Sequence, residues 1–536
     1  MKIIVADKIS ERGIALLRET GWNVVTPQAA TLAAEIADAD ALIVRSATKV
    51  TPELLEKAPK LRVVGRAGVG VDNVNLEAAT GRGVLVMNTP GGNSVSVAEH
   101  TLALMLALAR AIPQSNTSIH AGKWEKSSAS GMELRGKTLG LIGFGRIGME
   151  VARRAHGLEM TVLAHDPYIT PDAAREHHAE LVPLDELLQR SDFVSLHTSL
   201  SPATEKIINA ATLAKMKKTA RIINCARGEL IDEGALAEAL KSGQIAGAGV
   251  DTFVVEPPKN SPLIGLPNVI ATPHIAGSTA EAQEEVGTAI AVQVRDYLVD
   301  GVIRNSVNLP ALTAEQYRRI KPYLELGERL GALVAQAATS PSFRRVKIVY
   351  AGEPAELGSH AVKGSVLIGL LNSGMIEKVN LVNASAAAAA RGLVIEETTR
   401  RRERGYPNTV EVSISDDAQA LTAEGTVFQD GSPRILSLDG IPLEATLEGT
   451  MLLTRNRDVP GVIGQVGSAL GSLGVNIATF ALGRREPAQG SEAVALVQVD
   501  GDIDAAVVKK LKEIPSITDA RLIRLPAAPK AALSAR

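Results

Sequence analysis

The chain has 536 residues, 45% of them hydrophobic and 22% charged, with a formal net charge of −2 and one cysteine. At about 100–200 residues per domain, such a length divides into three to five units. The balanced charge leaves no footprint for nucleic acid or an anionic membrane, and a lone cysteine excludes an intrachain disulfide framework and suits a reducing, cytoplasmic setting.

The start, MKIIVADKIS, reads as a first strand rather than a signal peptide, because its apolar run is short and no small-residue cleavage site follows. IIVA (3–6), ALIVR (41–45), LRVVG (61–65) and VLVMN (84–88) are short apolar runs separated by helical stretches such as SERGIALLRE and TPELLEKA. That alternation predicts a parallel sheet covered on both faces. A strongly apolar helix is expected from Ser94 to Ile112. Its apolar centre falls well short of the ~20 residues that span a bilayer, so it should be buried between domains or subunits.

The alternation restarts at TLGLIG (138–143) and continues through TVLAHD, FVSLHT, RIINCA, AGAGVD and NVIATPH. STAE (278–281) has the S-x-x-E form of a capping box and opens a long helix ending near Asp300-Gly301. A second α/β unit is therefore expected inside the first, with the helices near 94–112 and 280–300 carrying the chain out and back. After Asn308-Leu309-Pro310 comes a mixed α/β stretch, 311–448, in which NASAAAAARG (383–392) reads as a plain helix of small residues. From Gly449 a compact β-α-β pattern follows, and LPAAPKAALSAR reads as a frayed tail.

GFGRIG (143–148) matches G-x-G-x-x-G between a strand and a helix, the context that a dinucleotide fingerprint requires. Gly143 permits the tight turn, Gly145 lets the backbone approach a pyrophosphate, and Gly148 allows close helix–strand packing. The helix start favours the phosphate charge. Asp166, about 20 residues on at the end of the next strand, would accept hydrogen bonds from the ribose hydroxyls and repel a 2′-phosphate, which selects NAD over NADP. Two other glycine clusters, GRAGVG (65–70) and GQIAGAG (243–249), lack this context and read as close-packed loops.

With an NAD site the expected chemistry is hydride transfer, which needs a base, a cation to hold and polarise the substrate, and no covalent intermediate. Cys225 ends a buried-looking strand and reads as a small hydrophobe. Arg227, just past it, can grip a carboxylate bidentately. His274 ends the strand NVIATPH, and Glu256 follows the strand ending at Asp251. A carboxylate beside the imidazole would hold its tautomer, so that it can take and return a proton near neutral pH. The other histidines lack metal-site spacing, and no metal is expected.

NCARGELIDEGAL, DTFVVEPP and PHIAGST, after GFGRIG and HDP, resemble the D-isomer-specific 2-hydroxyacid dehydrogenase family, in which the Arg, Glu and His at positions 227, 256 and 274 would be catalytic. VRSATKVTPELL, LRVVGRAGVGVDNVNLEAAT and VMNTPGGNSVSVAEHTLALML narrow the resemblance to the long form that oxidises 3-phospho-D-glycerate. It implies an α/β chain with a Rossmann-type NAD domain (98–289) inserted in a flavodoxin-like substrate domain (1–97 and 290–310). An intervening α/β domain (311–448), a C-terminal ACT domain of ferredoxin-like α+β fold (449–525) and a tail (526–536) would follow.

The resemblance further places Arg146 and Ile147 at the cofactor diphosphate. Thr198, Cys225, Ala226, Asp251 and His274, Ile275, Ala276 and Gly277 fall on the nicotinamide side. Arg45, Arg66, Asn93 and Ser94 fall at the substrate, with Lys49 as a further candidate for its phosphate. In the ACT segment, Asp458 of RDVPGVIG and Asn476 of GVNIA fall where L-serine would bind as effector, across a subunit interface of a homodimer or homotetramer. Two other readings are another D-2-hydroxyacid dehydrogenase and an NADH-sensing scaffold on the same fold. The C-terminal domains speak against the first and the complete Arg/Glu/His set against the second.

Overall fold

The computed structural model describes residues 1–126, 130–309, 314–338, 343–373, 379–401, 405–416, 420–501, 503 and 505–526. The tail expected at 526–536 lies outside them after Pro526, as does the domain boundary expected at 310/311.

The first sheet consists of β1 (Lys2–Val5), β2 (Asn23–Val25), β3 (Ala41–Val44), β4 (Val63–Arg66) and β5 (Leu85–Met87). All are parallel, in the order β2-β1-β3-β4-β5, the flavodoxin-like winding. Successive residues point to opposite faces of a strand. Ile3, Ile43 and Leu85 accordingly pack under the helix Ala280–Asp300, while Ile4, Leu42 and Val86 enter a separate core on the other face.

The second sheet holds β6 (Thr138–Ile142), β7 (Thr161–His165), β8 (Glu180–Leu181), β9 (Phe193–Leu196), β10 (Arg221–Asn224), β11 (Gly247–Val250) and β12 (Val269–Ala271). Its order, β12-β11-β10-β9-β6-β7-β8, reverses direction between β9 and β6, which is the Rossmann switch point where a crevice opens.

The helices that connect the two sheets depart from expectation in two details. The helix expected over 94–112 ends at Ala109, Ala111 turns left-handed at φ 47°, and a second helix, Ile112–His120, meets the first at 63°. Pro113 explains the break: it is tolerated in a first turn but has no N–H with which to continue the helix before it. At the return helix the cap is Thr279 rather than Ser278, its hydroxyl accepting from Ala282 N, and Gly301 closes the helix at φ 71°. Among the described residues no single helix is long and apolar enough to cross a membrane.

The third sheet contains β13 (Arg345–Ala351), β14 (Val394–Arg400), β15 (Thr409–Ser415), β16 (Ala420–Val427), β17 (Pro433–Leu438) and β18 (Ile441–Thr446), antiparallel except for the β13–β14 pair. The helices Ala314–Ala337 and Ser359–Asn372 cover it and cross at glycines: a Cβ on Gly331 would lie 2.2 Å from the Val366 carbonyl oxygen. The alanine tract forms the short helix Ala384–Ala390.

The fourth sheet, β19 (Thr450–Arg457), β20 (Ile477–Arg484), β21 (Glu492–Val499) and β22 (Ile517–Arg524), is antiparallel in the order β20-β21-β19-β22, with helices Val462–Ser472 and Ala505–Lys512 on one face. Its two faces go different ways. Leu452, Ala495 and Val497 pack beneath those helices, whereas Met451, Leu453, Val494, Leu496 and Ile523 join the core of the third sheet. Gln336 Nε2, on the helix Ala314–Ala337, donates to the Arg524 carbonyl of β22 at 2.9 Å across the same seam.

The two C-terminal units thus share one hydrophobic core. Leu496→Ala, which empties a fully buried position in it, is expected to cost about 2–5 kcal/mol. In differential scanning calorimetry it should lower the melting of both C-terminal units together; a shift confined to residues 449–526 would count against the shared core.

Candidate active site

Ile142, Leu196, Asn224, Val250 and Ala271 are paired across β6, β9, β10, β11 and β12 in one register. The loops that follow therefore leave the sheet at one level and bring Gly143, His197, Cys225, Asp251 and Thr272 to a common edge.

At the glycine loop each glycine has a distinct reason. Gly143, at φ 92°, abuts the backbone of His197 and Thr198, where a Cβ would lie 2.7 Å away, and a Cβ on Gly148 would lie 2.5 Å from the Gly143 carbonyl oxygen. At Gly145 a Cβ would meet nothing within 4 Å among the described residues, and the helix Arg146–Gly157 that it caps starts without a side-chain acceptor for its free N–H groups. Open space in front of uncapped donors fits a diphosphate. Asp166 sits beside this loop and accepts from Phe144 N at 2.8 Å and Tyr168 N at 2.9 Å, which orients its carboxylate where a ribose would lie. Arg146 is exposed, Ile147 half-buried, and Thr198 half-buried beside Gly143.

His274 Nδ1 is 2.8 Å from Glu256 Oε2. A carboxylate can only accept, so Nδ1 carries the proton and Nε2 is left as the free acceptor. The pair is open to solvent, with 52% of the His274 side chain and 38% of the Glu256 side chain exposed, and so contributes little stability. What it fixes is the tautomer. Glu256 Oε1 in turn accepts from Phe253 N at 3.1 Å. The Arg227 loop packs against the same segment, since a Cβ on Gly228 would lie 2.0 Å from the Phe253 carbonyl carbon.

His274 has a φ of 53°, a left-handed conformation that a non-glycine residue holds only where its surroundings fix it. Asp251 fixes it. The Asp251 carbonyl accepts from His274 N at 2.9 Å, and its carboxylate accepts from Ile275 N at 2.9 Å, Ala276 N at 2.8 Å and the Thr272 hydroxyl at 2.6 Å. Desolvation works against this fully buried carboxylate, but the hydrogen bonds from His100, Thr272, Ile275 and Ala276 outweigh it and hold its pKa below the usual range. The Asp251 side chain is thus spent on the turn.

Arg227 leaves β10 and reaches the first sheet, where its Nη2 pairs with Asp72 Oδ2 at 2.9 Å. A Cβ on Gly70 would lie 2.0 Å from that Nη2, and one on Gly68 would overlap the Arg66 guanidinium. The GRAGVG cluster, read from sequence as a packed loop, is the bed on which the two arginines lie. Burial pushes Arg66 down to about 10, with Arg227 and Arg45 adding to the shift and Asp72 opposing it. Its Nε is buried with no hydrogen-bond partner among the described residues, as is Asn93 Oδ1.

Arg45 stands at the end of β3, its backbone N donating to Asp7 Oδ2 at 2.6 Å. Lys49 is exposed on the following loop, and Ser94 is buried at the start of the helix Ser94–Ala109. Asn93 Nδ2 faces Gly277, 2.8 Å from where a Cβ would be. Arg45 and Arg227 thus act on Arg66 as neighbouring charges, with Asp72 opposing them, an arrangement suited to an anionic ligand.

Comparison with known proteins agrees with this geometry. Residues 102–276 match the D-isomer specific 2-hydroxyacid dehydrogenase NAD binding domain, 319–439 the D-3-phosphoglycerate dehydrogenase intervening domain, and 450–516 the ACT domain. D-3-phosphoglycerate dehydrogenase of Methanocaldococcus jannaschii is 43% identical over 528 residues, covering 98% of this chain and 100% of that protein. The chain belongs to the D-3-phosphoglycerate dehydrogenase family. The Bacillus subtilis member is 39% identical over 526 residues, again covering 98% and 100%. Among solved structures, the NAD-dependent formate dehydrogenase of Staphylococcus aureus in complex with NAD superposes with a TM-score of 0.50, 31% identical, over 56% of this chain and 96% of that one. The chain is an NAD-dependent oxidoreductase of this family.

In its ACT domain, Asp458 lines a cavity of about 450 Å³ with Asn456, Val459, Val462, Phe480 and Arg484, and pairs with Arg484 at 3.2 Å. Asn476 is not part of that lining; its Nδ2 donates to Asp500 Oδ2 at 2.5 Å. Within one chain the two residues expected at an effector site stand apart.

Sequence reading passed over Asp72 at the cleft, and His100 and Thr272 beneath the His274 turn. The one signal available was VGVDN following an arginine-bearing strand. Cys225, 8% exposed in the core with Val97 and Ile223, has its thiol pushed up to about 12 by burial, with Thr101 opposing and Asp251 adding. Iodoacetamide at pH 8 should therefore leave Cys225 unmodified in the native chain and alkylate it in urea, read by mass spectrometry.

His197, beside Gly143, accepts or donates at Nε2 with Ser195 Oγ at 2.9 Å, and burial pushes its imidazole from 6.5 down to about 3. The unfolded chain therefore takes up that proton first. The stability from neutral His197 is complete above 6.5 and is lost as pH falls toward 3. The thermal midpoint should drop between pH 7 and pH 4, and His197→Gln should drop less over the same interval.

Proposed function

We propose that the chain oxidises 3-phospho-D-glycerate to 3-phosphooxypyruvate with NAD, the first step of L-serine biosynthesis, in the cytoplasm. The observation that carries this reading is the His274–Glu256 pair standing on the same sheet edge as Arg227, opposite Arg45 and Arg66 of the other sheet.

NAD, held by the glycine loop and Asp166, supplies the hydride acceptor. His274 Nε2, freed by the Nδ1–Glu256 bond, takes the C2 hydroxyl proton. Glu256 supports the imidazolium that results and keeps the ring in place. Arg227 grips the substrate carboxylate and stabilises the charge that grows on the C2 oxygen. Arg66 and Arg45, with Lys49 at the entrance, bind the phosphate, and Asn93 and Ser94 close the substrate side. An anion at Arg66 would offset the burial and the neighbouring arginines that disfavour its charge.

Regulation is assigned to the ACT domain, with L-serine as effector. Asp458 would take its ammonium in the cavity beside Arg484, and Asn476 of a second copy would complete the site. A homo-oligomer, dimer or tetramer, is consistent with this. It is also consistent with the exposed apolar Val95, Leu106, Ile112, Ile119 and Trp124 along the bent helix pair and the segment just after it.

Formation of NADH from 3-phospho-D-glycerate, followed by absorbance at 340 nm, tests the assignment. Arg227→Ala should lose roughly 10²–10³ in kcat/KM, and His274→Gln roughly 10²–10⁴ in kcat. Wild-type turnover no higher than that of Arg227→Ala would overturn the reading. In the same assay L-serine should lower the rate of the wild type but not of Asp458→Ala; a wild-type rate independent of serine would remove the regulatory half.

A further inference from the structure

The turn 272–279 that presents His274 is held from below by Asp251, and on its flank it meets one helix. Asn93, Ser96 and His100, at spacings of three and four residues, share a face at the start of the helix Ser94–Ala109. Each touches a different point of the turn. His100 Nε2 is 3.0 Å from Thr272 Oγ1 and 3.5 Å from Asp251 Oδ1 at its beginning. Asn93 packs on Gly277 in its middle, and Ser96 Oγ is 2.7 Å from Thr279 Oγ1 at its end.

The proton inventory orients these contacts. The Thr272 hydroxyl has one hydrogen, and at 2.6 Å from Asp251 Oδ1 it donates there. Its lone pair is then the acceptor for His100, so Nε2 of His100 carries hydrogen.

The segment leading into the helix is anchored to the substrate side. There, Asn88 Nδ2 donates to the Val69 carbonyl at 2.6 Å and Thr89 N to the Gly68 carbonyl at 3.0 Å. These are the glycine-loop residues on which Arg66 and Arg227 lie. One segment, 88–100, therefore touches the loop beneath the arginines and the turn bearing the imidazole.

We propose that His100 and Ser96 are positioning residues for His274: the polar face of this helix clamps the 272–279 turn and sets the imidazole in register with the substrate-binding arginines. The inference rests on the reading of His274 as the proton acceptor. A loosened clamp leaves the arginines and the cofactor loop untouched but lets Nε2 wander, and displacement on the scale of 1 Å at a reacting atom lowers rate roughly 10²-fold.

Two measurements on the full chain decide it. The first is hydrogen–deuterium exchange by mass spectrometry, which needs no substrate. His100→Ala should raise exchange in 272–279 about tenfold while strands 138–142 and 221–224 stay as in the wild type. His100→Gln, which keeps a donor for Thr272, should restore most of the protection, and Ser96→Ala should loosen the 277–280 end alone.

The second is turnover per NADH-binding site. kcat should fall roughly 10–100-fold in His100→Ala, and a primary isotope effect from C2-deuterated substrate should grow as the chemical step becomes limiting. A loss of folded protein would move neither exchange in one segment nor the isotope effect.

Unchanged exchange in 272–279, or His100→Gln as damaging as His100→Ala, overturns the clamp. Should His100→Ala fail to fold, Ser96→Ala and His100→Gln decide by exchange alone: local loosening in Ser96→Ala supports the clamp and wild-type protection in it overturns it. A wild type that binds NADH but does not oxidise 3-phospho-D-glycerate would sink the functional reading, and exchange would still decide the clamp.

Discussion

A carboxylate with no exposure to water, Asp251, is the point on which the geometry of the His274 turn rests. A bare charge in that position would cost several kcal/mol, and the turn containing His274 supplies the donors that offset it. The dependence runs both ways. The turn adopts its left-handed residue because the carboxylate gathers its N–H groups, and the carboxylate stays ionised because the turn is there. Such mutual requirement removes intermediate arrangements, so the imidazole has one place to be.

Around that fixed point the two sheets divide the chemistry. The inserted sheet carries the proposed base His274, its partner Glu256, Arg227 and the glycine loop at the carboxyl ends of its strands. The first sheet carries Arg45 and Arg66 at the same ends of its own. Arg227 crosses between them to Asp72. On the proposed roles, neither sheet alone offers both a proton acceptor and the arginines for a doubly anionic acid. The cleft sets Arg45, Arg66 and Arg227 near one another, with Asp72 offsetting part of their charge, a field that favours an anionic ligand.

Much of this was legible in the sequence, for identifiable reasons. Parallel strands buried on both faces leave short β-branched runs, and the glycine fingerprint is read with its strand, helix and acid, so the sheets and the cofactor loop announce themselves. That Arg227, Glu256 and His274 would meet near one edge was suggested by their places in the loops after such runs. Long-range contacts were not legible. Nothing in GRAGVG tells that the missing side chain of Gly70 makes room for Arg227, since that depends on a strand more than 150 residues away. The helix break at Ala111 was foreshadowed only by Pro113, and the capping hydroxyl at Thr279 rather than Ser278 is a choice between adjacent residues of similar chemistry. The seam between the third and fourth sheets escaped altogether: alternating apolar residues in β19 and β21 predict a sheet buried on both faces but not what covers the second.

That seam bears on how the molecule can be divided. The face formed by Met451, Leu453, Val494 and Leu496 is interior only while the third sheet lies against it. A chain stopped near 448 would lay bare the matching residues Leu438, Ile441 and Leu443, and an isolated 449–526 fragment would carry an oily surface of its own. The workable scissor line for an engineer lies upstream, before the helix Ala314–Ala337, where the dehydrogenase portion ends and the paired C-terminal units begin as a single piece.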